Sequence, residues 1–157
     1  MSASSSTYRG GERQLCTCWV GNLLLGLDVL NIQEVQSSND VTAIPQSAPA
    51  ISGLINLRGQ IATAVDLRVV FGVEPKGDSE RIQIVVRHRG EPVSLLVDEI
   101  GEVMTLHDDI FEAPPETVDG LTRELVTGAY KLEHELLLTL DVERVIAMTS
   151  VGPMGAA

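Results

Sequence analysis

The stretch GLINLRGQIATAVDLRVVFG, Gly53 to Gly72, decides how the rest of the chain is read. It is apolar through most of its length, yet Arg58 sits near its middle, beside Asn56 and Gly59. A guanidinium keeps its charge in any protein environment, so it belongs at an exposed place or a paired one. ISGLINL (51–57) and QIATAVD (60–66) flank Arg58-Gly59 and read as a hairpin with the arginine at its tip. Asp66 then caps a short helix, LRVVF, which Gly72 closes.

The same grammar extends in both directions. Upstream, LCTCWV (15–20) meets LLLGLD (23–28) across the turn pair Gly21-Asn22, and NIQEVQ (31–36) is a further strand. Pro45 and Pro49 mark an irregular crossing, since neither can donate to a ladder. Downstream of the acidic segment VEPKGDSE, RIQIVVRH (81–88) and PVSLLVD (92–98) are joined through Arg89-Gly90-Glu91. IGEVMTL (100–106) comes next, then a polar segment with Pro114-Pro115. ELVTGAYKL (124–132) and ELLLTLD (135–141) form a last hairpin, and VERVIAMT reads as a closing helix. At least eight short strands at this spacing predict an all-β chain of barrels or a sandwich. Residues 1–12 and 150–157 are expected to be flexible tails around one domain, 13–149. No repeat period is visible, so any internal duplication is one of shape.

Composition excludes several function classes. The 157 residues hold 11 Lys+Arg against 22 Asp+Glu, a formal net charge of −11, which repels a polyanion; nucleic acid is not an expected partner. Aromatics make up only 3%, leaving little to stack on bases. Cys16 and Cys18 lie two apart on one strand and share a face, too few for a disulfide framework and lacking the further ligands a zinc site needs. His88, His107 and His134 have no metal-type spacing. Neither a metal nor a cofactor is expected. The start, MSASSSTYRGGERQ, lacks the apolar core of a secretory signal, and LLLGL is too short to span a bilayer. The chain reads as soluble and cytoplasmic, with no direct membrane insertion.

Catalysis is the least favoured class. GxSxG, GxxxxGK[ST], HExxH and GxGxxG are all missing from the sequence. Asp98-Glu99 would point to opposite faces of a strand, and Asp108-Asp109 reads as a solvated turn. A binding module remains, and its recognition residues are polar ones that interrupt apolar strands: Glu34, Arg58 and Asp66. A helix cap accounts for Asp66, and a solvent-facing strand position accounts nearly as well for Glu34.

The order of the residues adds what their classes cannot. GLDVLNIQEV, IPQSAPAISGLINLRGQIATAVDLRVVFG and RIQIVVRHRGEPVSLLVDEIGEV resemble successive blocks of the CheW family, the bacterial chemotaxis coupling proteins, over about residues 13 to 149. The resemblance implies two five-stranded SH3-like barrels packed together, with a few short helices and no catalytic activity or cofactor. It implies a scaffold joining the regulatory domain of the chemotaxis histidine kinase to the cytoplasmic tip of a methyl-accepting receptor. That would hold the chain at receptor arrays on the inner face of the membrane, through its partners.

Carried over residue by residue, the receptor-binding positions fall on Ile32, Glu34, Asn56, Leu57, Arg58 and Gly59, with Ser94 and Ile100 linked to coupling. Kinase contacts are expected at the sheet ends and turns of the first barrel. The chain departs from the family pattern at Thr63, often proline; at Leu15 and Cys18, where an aromatic is frequent; and at Ser94, often glycine. Arg58 is expected to grip Glu34 and hold the NLRG tip against the neighbouring strand. A second function in keeping with the resemblance is a CheW-like adaptor in another histidine-kinase pathway, such as one for surface motility, or in another scaffold.

Overall fold

Runs such as LLLGL and IQIVV are apolar at consecutive positions, although a half-buried strand alternates. They are continuous here because both faces of each sheet are covered. The computed structural model describes residues 11–38, 51–57, 59–73 and 81–156. Its strands are β1 (Glu12–Val20), β2 (Leu23–Asp28), β3 (Ile32–Ser38), β4 (Ile51–Leu57), β5 (Gln60–Asp66), β6 (Arg81–His88), β7 (Glu91–Val97), β8 (Glu99–His107), β9 (Phe111–Glu112), β10 (Val126–Lys131) and β11 (Leu136–Leu140). The helices are α1 (Leu67–Phe71), α2 (Gly120–Glu124) and α3 (Val142–Ala156).

One sheet runs β8-β1-β2-β11-β10-β9 and the other β3-β6-β7-β5-β4. Three apolar groups hold them. A central group takes Cys18, Leu25, Leu27 and Leu138 from the first sheet and Ile84, Val86, Leu95 and Val97 from the second. Leu15, Leu24, Leu106, Tyr130 and Leu137 form a group within the first sheet alone. Ile55, Leu57, Ala62, Ala64, Val85 and Leu96 form one within the second. Each sheet therefore curls around its own interior and presents its outer face to the other. Neighbours such as Leu24 and Leu25 go to different groups, and each fully buried side chain contributes about 1.5–3 kcal/mol.

The two sheets share one plan. In the first, the β1–β2 hairpin runs parallel to β11, which pairs with β10, and β8 lies on the far edge. In the second, the β6–β7 hairpin runs parallel to β5, which pairs with β4, and β3 lies on the far edge. The expected duplication of shape is present, with hairpins exchanged between its halves. After β2 the chain crosses to the second sheet through a short turn, Val29–Asn31. It returns after β7 through a single residue, Asp98.

Some expectations need correction. Glu12 already pairs with His107, so the first strand starts inside the stretch assigned to the N-terminal tail. The backbone of α3 runs on through Ala156, into the stretch assigned to the C-terminal tail. The first sheet gains a sixth strand, the two-residue β9, alongside β10. Helix α2 replaces the start of the expected strand at Glu124, because Asp119 accepts from Thr122 N at 2.8 Å and caps a helical turn. Pro45 and Pro49 lie outside the described residues.

Candidate functional site

The β4–β5 hairpin is built by alternation. Ile55, Leu57, Ala62 and Ala64 point into the interior of the second sheet. Leu54 and Asn56 face the other way, opposite Thr63 and Ile61. Gly59 follows at φ +85°, a left-handed conformation that costs a residue with a Cβ about 1–2 kcal/mol. Asn56 Oδ1 accepts from Gly59 N at 2.8 Å and ties the turn across its own base. A side-chain atom on Gly59 would meet nothing within 4 Å, so the tip is open to approach from outside.

The outer face of this hairpin is apolar where solvent would favour polar groups. Ile61 is 58% exposed and Leu54 36%, with exposed Asn56 between them. Sequence reasoning passed over both residues. The signal was available: in ISGLINL, Leu54 falls on the same strand phase as Asn56, the phase that points away from Ile55 and Leu57.

Edge strand β3 carries Ile32 and Glu34. Two residues apart, they would share a face on a regular strand. The register slips between them, however, so that Ile32 lies opposite Val86 and Glu34 opposite Val85. This bulge turns Ile32 toward the central apolar group and places Glu34 on the opposite face, half-buried. Val35 beside them is 42% exposed.

Asn56, Leu57 and Gly59 are thus brought together in one turn, with Leu57 directed inward. Arg58 lies outside the described residues, and so does the arginine side of its expected grip on Glu34. β3 and β4 are the two edges of this curled sheet. Ser94, expected at a position linked to coupling, is fully buried, and its hydroxyl donates to Gln83 Oε1 at 2.6 Å. Ile100 belongs to the other sheet, on β8, partly buried against the central group.

Asp66 caps α1 as read from sequence, accepting from Arg68 N at 3.0 Å. It also holds the Arg68 guanidinium, with Nε 3.3 Å from Oδ1 and Nη2 3.2 Å from Oδ2. Asp108 sits in a short turn, Asp108–Ile110, and takes an ion pair from Arg13 at 3.2 Å. Among the described residues no group of three or more His, Cys, Asp or Glu side chains could hold a metal ion. No described helix is long and apolar enough to cross a membrane.

Comparison with known proteins agrees with this architecture. Residues 14–150 match the model of the CheW-like domain. The chemotaxis protein CheW of Klebsiella aerogenes is 31% identical over 129 residues, covering 82% of this chain and 78% of that protein. CheW of Bacillus subtilis is 30% identical over 121 residues, covering 76% of this chain and 78% of that one. The crystal structure of the scaffolding protein TtCheW from Thermoanaerobacter tengcongensis superposes with a TM-score of 0.74 at 30% identity, over 82% of this chain and 84% of that one. Its two SH3-like subdomains correspond to the two curled sheets. With the family model matched over nearly its whole length, the chain belongs to the CheW-like family of chemotaxis scaffold proteins.

Proposed function

We propose that this protein is a non-catalytic coupling adaptor in the cytoplasm. In this reading it joins the cytoplasmic tip of methyl-accepting chemotaxis receptors to the regulatory domain of the chemotaxis histidine kinase. The observation that carries the receptor half is the NLRG hairpin. It combines an open glycine turn with an outward apolar pair, Leu54 and Ile61, around Asn56. Exposed apolar side chains rimmed by polar ones are the usual makings of a protein-binding surface.

Two modest faces suffice for such a task. Holding a receptor and a kinase on one small body converts their encounter into a local one at high effective concentration. The adaptor then acts by favouring one state of the kinase over another, with no bond made or broken by itself. The test is co-sedimentation of the purified chain with a receptor tip and the kinase regulatory domain. Recovery of all three together, dependent on this chain, is expected. Recovery of the kinase domain alone would overturn the receptor half and favour a scaffold elsewhere.

A further inference from the structure

Two blocks distant in the sequence, VDLR (65–68) and LVDE (96–99), meet in the folded chain. Arg68 lies between two carboxylates. Asp66 holds one edge of its guanidinium, and Asp98 Oδ1 lies 3.6 Å from Nη1. All three side chains are 6–7% exposed. Asp98 is also the one residue between β7 of the second sheet and β8 of the first. Its Oδ2 accepts from Gly21 N at 2.7 Å, at the β1–β2 turn, and its own N–H donates to Trp19 O at 2.9 Å. A continuous polar path therefore runs from the β5–α1 corner of one sheet, through Arg68 and Asp98, to the first hairpin of the other.

The internal duplication supplies a comparison. Asp28 occupies the corresponding place at the other crossing, after β2, but there it only caps the following turn, accepting from Leu30 N. Counted from the caps Asp66 and Asp141, the place of Arg68 falls on Glu143 in the helix after β11, which is exposed, and its neighbour Arg144 is exposed too and donates to Glu124 O. The plan is repeated, while among the described residues the buried ion network occurs at one crossing of the two. A helix cap accounts for Asp66, but no local need of α1 or β7 accounts for Asp98 facing Arg68.

We propose that Arg68 is a positioning residue which, gripped by Asp66 and Asp98, locks the angle between the two sheets, so that what docks on one sheet is sensed by what docks on the other. The lock itself stands on the geometry; its role in signalling rests on the adaptor reading above. A planar five-donor guanidinium can bridge two carboxylates at once, which an ammonium does less well.

The variant that isolates the lock is Asp98→Asn, which keeps an oxygen for Gly21 N–H and removes the charge facing Arg68. Spin labels on Glu91→Cys and Thr105→Cys, exposed positions on the second and first sheets, report the inter-sheet distance. The native Cys16 and Cys18 are buried, so labelling is confined to the introduced sites. In the parent a single narrow distance is expected, and in Asp98→Asn a broader one with far-UV circular dichroism unchanged. Arg68→Gln should broaden it further, and Arg68→Lys should restore part of the narrowing. If Arg68→Gln fails to fold, Asp98→Asn decides alone: an unchanged distribution in that variant overturns the lock. In receptor–kinase assemblies, Asp98→Asn should lower kinase activation about fivefold or more while each partner alone still binds. A broadened distribution with undiminished activation overturns the signalling role and leaves the lock standing. Failure of the parent chain to bring receptor and kinase together overturns the adaptor reading instead.

Discussion

Ser94 donates its hydroxyl to Gln83 Oε1 at 2.6 Å inside the second sheet, with neither side chain reaching solvent. A residue so placed can influence a partner only through the sheet around it. Ser94→Ala leaves a buried carbonyl without this donor, which costs about 1–3 kcal/mol. The denaturant midpoint should fall accordingly, with affinity for a receptor tip unchanged under conditions where the variant stays folded. Weaker binding at unaltered stability would show that position 94 reaches the partner after all.

At the hairpin tip the order of effects reverses. Gly59→Ala meets no neighbour within 4 Å, so its penalty is conformational, about 1–2 kcal/mol from the left-handed backbone. Asn56→Ala removes the bond across the turn at about 0.5–1.5 kcal/mol. With the turn in the proposed docking surface, both should reduce receptor-tip affinity by more than the small loss of overall stability implies. Isothermal titration beside chemical denaturation separates the two quantities. Equal losses in both would make the turn merely structural.

Much of this was legible in the chain, for identifiable reasons. The turn pairs Gly21-Asn22 and Arg58-Gly59 and the cap Asp66 act locally, and the strands and helix they bound lie where the sequence places them. The short helix at Gly120 was not seen because its cap, Asp119, sits in a polar run with no apolar period. The burial of Ser94 was not legible because a strand buried on both faces loses the alternation that tells inside from outside. The opposite faces of Ile32 and Glu34 depend on a bulge set by pairing with β6, a non-local event. The meeting of Arg68 with Asp98 across thirty positions likewise waits on topology.

The two thiols make a chemical prediction. Desolvation pushes both Cys16 and Cys18 upward, and Cys16 raises Cys18 further. The folded state thus favours the neutral thiols. Their contribution to stability is fully present below the unfolded thiol pKa of about 8.5 and is lost as pH rises toward the folded values. Native protein at neutral pH should react very slowly with an aromatic disulfide reagent, and both thiols should react at once in denaturant. Stability should decline above about pH 8.5, and less so in Cys18→Ser than in the parent. Rapid labelling of native protein would contradict the burial.

Removing the arginine of the buried network tests its energetics. Arg68→Met leaves Asp66 and Asp98 facing each other without compensation, a loss of about 3–5 kcal/mol. Adding Asp98→Asn takes away one of the stranded charges, so the double variant should be more stable than Arg68→Met alone. Equilibrium denaturation of the four proteins gives the coupling directly. Simple additivity would mean that Asp98 does not sense the guanidinium.

The apolar face of the hairpin separates docking from folding most cleanly. Ile61 is 58% exposed, so Ile61→Glu removes little buried area and should shift stability by no more than about 0.5 kcal/mol. On a partner-binding surface the same change strands a carboxylate where an aliphatic contact belonged. Receptor-tip affinity should then fall about tenfold or more. Leu54→Glu, one strand over on the same face, should act alike, whereas Val103→Glu, exposed on the edge strand of the other sheet, should leave the receptor untouched. The three variants share one kind of change at three exposed sites, so a common loss would point to the added charge on an already acidic chain. Selective loss at Ile61 and Leu54 assigns the contact to this hairpin.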